Sequence, residues 1–147
     1  MSRTALRALV VALGIAAVGP LTWWLAQALP DEVPADQYAD YMWVAPELSG
    51  TQVLGIGLVS VAAVLAAGFV MADGIRSRTL RREWLWIVLP LAGLAGYAGL
   101  TYAVATAPVI GANIGAGLLI LSSVVVVPAT VGASLWFVRQ LRSQPTR

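Results

Sequence analysis

Four long apolar runs, at residues 8–29, 51–72, 84–106 and 109–138, alternate with short polar connections along this chain. At 1.5 Å rise per residue, the first three runs predict helices of about 33–35 Å, enough to cross a hydrocarbon core of about 30 Å. The fourth would reach about 45 Å, too long for an upright helix. Pro128 and the glycine-rich opening GANIGAG predict that a kink, a tilt or an irregular end absorbs the excess.

The polar pieces between the runs differ sharply in sign. Residues 30–50 hold Asp31, Glu32, Asp36, Asp40 and Glu47, five of the seven acids, and no arginine. Residues 73–83 carry Arg76, Arg78, Arg81 and Arg82 against Asp73 and Glu83. Arg3 and Arg7 open the chain, and Arg139, Arg142 and Arg147 lie in the tail at 139–147. The connection between the last two runs, Ala107–Pro108, has no charge. All nine basic residues thus fall on one side of the alternation. By the positive-inside rule, both termini are expected in the cytoplasm.

Composition agrees with this pattern. The chain of 147 residues is 59% apolar and 11% charged, with mean hydropathy +0.82. A soluble domain carries about a quarter charged residues. The fold class expected is therefore an all-α membrane protein: a four-transmembrane-helix bundle forming one domain. The absence of lysine, with abundant Ala, Gly and Val, points to a GC-rich bacterial genome and hence to a bacterial cytoplasmic membrane. A pI near 9.5 would fit nucleic acid, but the arginines are confined to connections and ends, so they are read as topogenic and no nucleic-acid partner is expected. Attraction to anionic lipid, at about 1 kcal/mol per basic residue, suffices for the 73–83 loop; docking to a cytoplasmic partner is the alternative.

The chain has no cysteine and no histidine. Disulfides, thiol nucleophiles, imidazole metal sites and histidine proton transfer are thereby excluded. No apolar run carries an ionisable residue in its middle, whereas proton relays and coupled ion pathways depend on such residues. A self-contained proton-driven transporter is therefore disfavoured.

One alternative concerns the first run. Arg3 and Arg7, an apolar stretch and Ala26-Gln27-Ala28 resemble a signal peptide with its cleavage site. The bulky Trp23-Trp24 pair, Pro20 and a spanning length favour a retained helix. A weak internal similarity also links LTWWLAQALP (21–30) with LTYAVATAP (100–108); chance likeness between alanine-rich helices explains it better than duplication does.

Trp23, Trp24, Trp84, Trp86 and Trp136 fall at the ends of the runs, where indoles serve as membrane-interface anchors. The uncharged polar residues deserve placing by depth. If consecutive runs pair as hairpins, Ser60 lies level with Tyr97, Tyr102 with Asn113, and Tyr97 within reach of Ser122. Phenols and amides in lipid require hydrogen-bond partners, so these residues are expected to meet inside the bundle as helix-packing contacts. A small-ligand or lipid-headgroup pocket lined by Tyr102, Asn113 and Gln52 is the sharper alternative. Gly111-x-x-x-Gly115, Ala92-x-x-x-Gly96, Gly93 and Gly99 permit close backbone approach.

The acidic connection has its own period. Between Pro34 and Pro46 a short amphipathic helix is expected in this first extracytoplasmic loop, with Tyr38, Tyr41 and Met42 on one face and Asp36 and Asp40 opposite. That aromatic face is a candidate outer interface. The acids are spread over seventeen positions without the glycine turn or spacing of a calcium loop, so no metal is assigned. No cofactor or catalytic residue is assigned either. Expected partners are the lipid bilayer and other membrane subunits, or further copies of the chain. Three functions remain: an accessory or interaction subunit of a larger membrane assembly, a small oligomeric transporter or channel, and a lipid-acting membrane enzyme using the loop carboxylates.

Overall fold

The computed structural model describes residues 2–27, 42–43, 45–107 and 112–143. Four helices account for most of them: α1 (Arg3–Gln27), α2 (Gly50–Arg76), α3 (Leu85–Thr106) and α4 (Ala112–Ser143), with a 3-10 turn at Arg82–Trp84 leading into α3. All four are long and apolar enough to cross a membrane.

Local chemistry fixes the helix ends. Ser2 Oγ accepts the Ala5 N–H at 3.2 Å at the start of α1. The start of α2 is a reciprocal cap, in which Ser49 Oγ accepts the Gln52 N–H at 3.3 Å and Gln52 Oε1 accepts the Ser49 N–H at 2.8 Å. Beyond Arg76 the chain turns through Arg78, whose φ of 56° is left-handed. This turn lets the N–H groups of Ser77, Arg78 and Leu80 bond the carbonyls of Asp73, Ile75 and Gly74. α3 stops at Thr106 because Ala107 precedes a proline and adopts extended angles.

Set beside the expected runs, α2 gains about a turn at its arginine-bearing end and α4 extends five residues past 138. At 1.5 Å per residue the 32 residues of α4 measure about 48 Å, so its arginine-bearing end must project beyond a 30 Å core or tilt. The helix runs through Pro128, as α1 does through Pro20 and α3 through Pro90. The expected irregularity at GANIGAG falls partly on residues 108–111, outside the described set.

The packing order differs from the chain order. α1 packs against both α2 and α3, and α3 packs against α4, giving the row α2–α1–α3–α4. Consecutive helices α2 and α3 thus meet chiefly through α1, and α4 has α3 as its main neighbour. Small residues make the crossings. A methyl group on Gly99 would overlap the carbonyl of Gly19, so α1 and α3 touch backbone to backbone. A methyl on Gly14 would overlap the Ala67 side chain, which brings α1 onto α2. The Trp24 ring lies directly over Gly57, a position that any side chain would fill.

The expected loop helix spans residues of which only Met42, Trp43, Ala45 and Pro46 are described. These four are bent or irregular rather than helical. Met42 and Trp43 donate backbone N–H groups to the Ala105 carbonyl, at 3.2 and 3.0 Å. The loop therefore caps the last turn of α3, whose final carbonyls lack partners within the helix. Tyr38 and Tyr41 lie outside the described residues.

Candidate functional site

Four polar or aromatic constellations stand out, two at the arginine-bearing end of the helices, one at mid-span and one at the opposite end. At the arginine-bearing end, Arg7 of α1 clasps the end of α2. Its guanidinium lies 2.9 Å from Asp73 Oδ2 and donates to Thr79 Oγ1 at 3.0 Å. Both charged side chains are about half exposed, so the pair orients the helix ends more than it stabilises them. Thr79 also donates to the Gly74 carbonyl, tying the turn into the same cluster.

Also at this end, Trp86 stacks on Phe137 with ring centres 6.1 Å apart, and Trp136 meets Phe137 edge-on at 5.0 Å. Trp86 and Trp136 remain 61% and 54% exposed, and Trp84 is exposed at the start of α3. Their positions fit interface anchors, and the stack joins the beginning of α3 to the end of α4.

Midway along α3, the Tyr97 hydroxyl bonds to the Leu119 carbonyl and lies 2.6 Å from Ser122 Oγ on α4. Tyr97 and Ser122, expected within reach of each other, do meet. Ser60 is buried on α2, a helix that meets α3 chiefly through α1. Asn113 is half-buried at the start of α4. Gln52 is exposed and spends its side chain on the α2 cap. The S-x-x-Q spelling of Ser49 to Gln52 carries that role openly.

At the opposite end from the arginines, Trp23 packs edge-on against Tyr102 with ring centres 6.2 Å apart. Trp23 is only 8% exposed, so it is a packing residue and not an anchor at the lipid surface. Trp24, half-buried over Gly57, is likewise drawn into the α1–α2 contact. Successive helix positions differ by 100°, so a tandem pair cannot both face lipid when neighbours flank the helix on two sides. The indole N–H of Trp23 is buried and has no hydrogen-bond partner among the described residues.

A groove of about 650 Å³ runs beside this aromatic pair. Ala16, Gly19, Pro20 and Trp23 of α1 form one wall, and Ala95, Ala98, Gly99 and Tyr102 of α3 the other, with Ile56 of α2 and Leu48 closing one side. A second groove of about 370 Å³, lined wholly by apolar residues, lies nearer the arginine-bearing end between α1, α2 and α3. Of the five acids in residues 30–50, Glu47 alone is described, and it is exposed. Among the described residues, no three acidic side chains converge in a way that would hold a metal ion.

No protein-family model matches the chain, and no curated protein or solved structure is significantly similar to it. Function therefore rests on the geometry.

Proposed function

We propose that this protein is a multi-pass subunit of the bacterial cytoplasmic membrane, with both termini cytoplasmic, that acts as an accessory or interaction component of a larger membrane assembly. The observation that carries this reading is the open row α2–α1–α3–α4, in which α4 packs on α3 and presents the rest of its length outward. Ile114, Leu118, Leu121, Val125 and Leu135 follow one another at spacings of four, three, four and ten residues, and all are exposed. Such a stripe is the geometry of a helix seam, with Gly132 on it leaving open space for close approach.

The absence of ionisable residues from the middle of the spans supports packing over transport chemistry. In an assembly, the α4 stripe meets a helix of another subunit, and the Trp86–Phe137–Trp136 cluster fixes its height.

Site-specific photocrosslinking in the native membrane tests this directly. A photoreactive residue at Leu121 or Val125 is expected to give a discrete adduct with another membrane protein. One at Phe69 of α2 is the comparison point, since it is exposed on the far side of the row. Lipid adducts alone at all three positions would refute the reading.

A further inference from the structure

The second groove leads up to the arginines. It is bounded by α1, α2 and α3, and α1, which packs against both of the others, makes its floor. Along α2 it runs from Val64 to Ile75, about 16 Å at 1.5 Å per residue. That is about half of a 30 Å hydrocarbon core, the depth of one leaflet. A neighbouring helix that spans the membrane, about 20 residues long, would run well past it. An acyl chain of the leaflet on the arginine side would not.

On each of the three helices an arginine lies one turn beyond the groove. Arg7 precedes Val11 by four residues, Arg76 follows Ala72 by four, and Arg82 precedes Leu85 by three across the 3-10 turn. Residues at these spacings share a helix face. The two acids nearby are already engaged: Asp73 pairs with Arg7 at 2.9 Å and Glu83 with Arg81 at 3.5 Å. Arg76 and Arg82 are exposed and make no ion pair among the described residues. The groove thus opens, at one leaflet's surface, onto positive charge that no acid of the cluster offsets. A soluble acidic partner would meet the arginines and leave the apolar groove unused. A zwitterionic lipid would fill the groove but bring an ammonium to the arginines. A phospholipid with net negative charge satisfies both parts.

We propose that this groove binds one anionic phospholipid, its headgroup taken up by Arg76 and Arg82 and one acyl chain lying in the groove against Val11, Ala72 and Leu85. Arg7, by holding Asp73, keeps that carboxylate from opposing the headgroup. The site rests on the reading of the four helices as membrane spans, and it needs no partner subunit.

The test is native mass spectrometry of the full chain in detergent, titrated with phosphatidylglycerol or with phosphatidylethanolamine of the same acyl chains. One phosphatidylglycerol is expected to be retained about twentyfold more tightly than phosphatidylethanolamine, about fivefold for each of two arginines. Arg76→Gln and Arg82→Gln should each weaken phosphatidylglycerol about fivefold and leave phosphatidylethanolamine unchanged. Arg139→Gln removes the same charge from an exposed position on α4, outside the groove, and should change neither lipid. Gly68 lines the groove, and an added methyl there meets nothing within 4 Å, so Gly68→Leu fills the groove without disturbing the helices. It should weaken phosphatidylglycerol about fivefold by taking the place of buried methylenes. Equal retention of the two lipids would overturn the proposal, as would an Arg139→Gln effect equal to that of Arg76→Gln and Arg82→Gln. Retention that survives Gly68→Leu would overturn the place of the acyl chain. A chain that stays soluble without detergent would overturn the membrane reading as well, whereas the other outcomes leave that reading standing.

Discussion

The Tyr97 hydroxyl and Ser122 Oγ lie 2.6 Å apart, and both also bond the Leu119 carbonyl, so one backbone oxygen of α4 anchors two side chains from different helices. This is the polar link between α3 and α4 at mid-span, and it sits on the one helix pair that holds α4 in the row.

Removing that link weakens the α3–α4 contact modestly. Tyr97→Phe keeps the ring and deletes the hydroxyl, and interhelical hydrogen bonds in membranes average about 0.6 kcal/mol with an upper range of about 1.7. A loss in that range is expected in unfolding titrations of the detergent-solubilised protein. Hydrogen exchange should rise first in α4, with α1 and α2 unaffected.

Gly99 should tolerate almost nothing. A methyl there meets the Gly19 backbone carbonyl, so α1 and α3 must separate, and Gly99→Ala is expected to cost about 1–3 kcal/mol. Gly132 on α4 has nothing within 4 Å of an added methyl. Gly132→Ala should therefore be neutral or stabilise the isolated chain by up to about 1 kcal/mol. Thermal stability of the two variants side by side checks the contrast.

Arg78 occupies a left-handed conformation that glycine adopts without steric cost. Arg78→Gly should raise stability by about 0.5–1 kcal/mol, although it removes a charge. Arg78→Ala removes the same charge but keeps the strain, and should not stabilise. Equal behaviour of the two variants would place the effect in the charge.

How far the primary structure announced this molecule depends on which physical signal is considered. The four helices were legible because spans of apolar residues need no context to be recognised. Their ends were less so: α2 continues through Asp73 to Arg76 and stops only where Arg78 turns the chain in a left-handed conformation. Neighbour order was not legible, since pairing consecutive spans as hairpins ignores that Gly14 and Gly19 let α1 slot between α2 and α3. In a chain with so many small residues, nothing marks those two glycines beforehand. The Tyr97–Ser122 contact survived because α3 and α4 do pack together. Ser60 and Tyr97 instead lie on helices that meet chiefly through α1. Burial of Trp23 depends on which side of α1 faces α3, which hydropathy does not mark, whereas the Gln52 cap is readable from the S-x-x-Q spelling that begins at Ser49.

The membrane topology can be tested because the chain contains no cysteine. In intact cells, Glu47→Cys should react with a membrane-impermeant maleimide, whereas Ser143→Cys should react only after the membrane is opened. Both side chains are exposed, so accessibility reports the side of the membrane and not burial. The reverse pattern would invert the orientation drawn from the arginines.

The most direct measurement is native mass spectrometry of the protein purified from its own membrane in mild detergent. An interaction subunit predicts a complex with other membrane proteins in fixed stoichiometry, lost when Leu121 and Val125 are both replaced by Trp on the exposed α4 stripe. A clean monomer, or a homo-oligomer with no other protein, would contradict it.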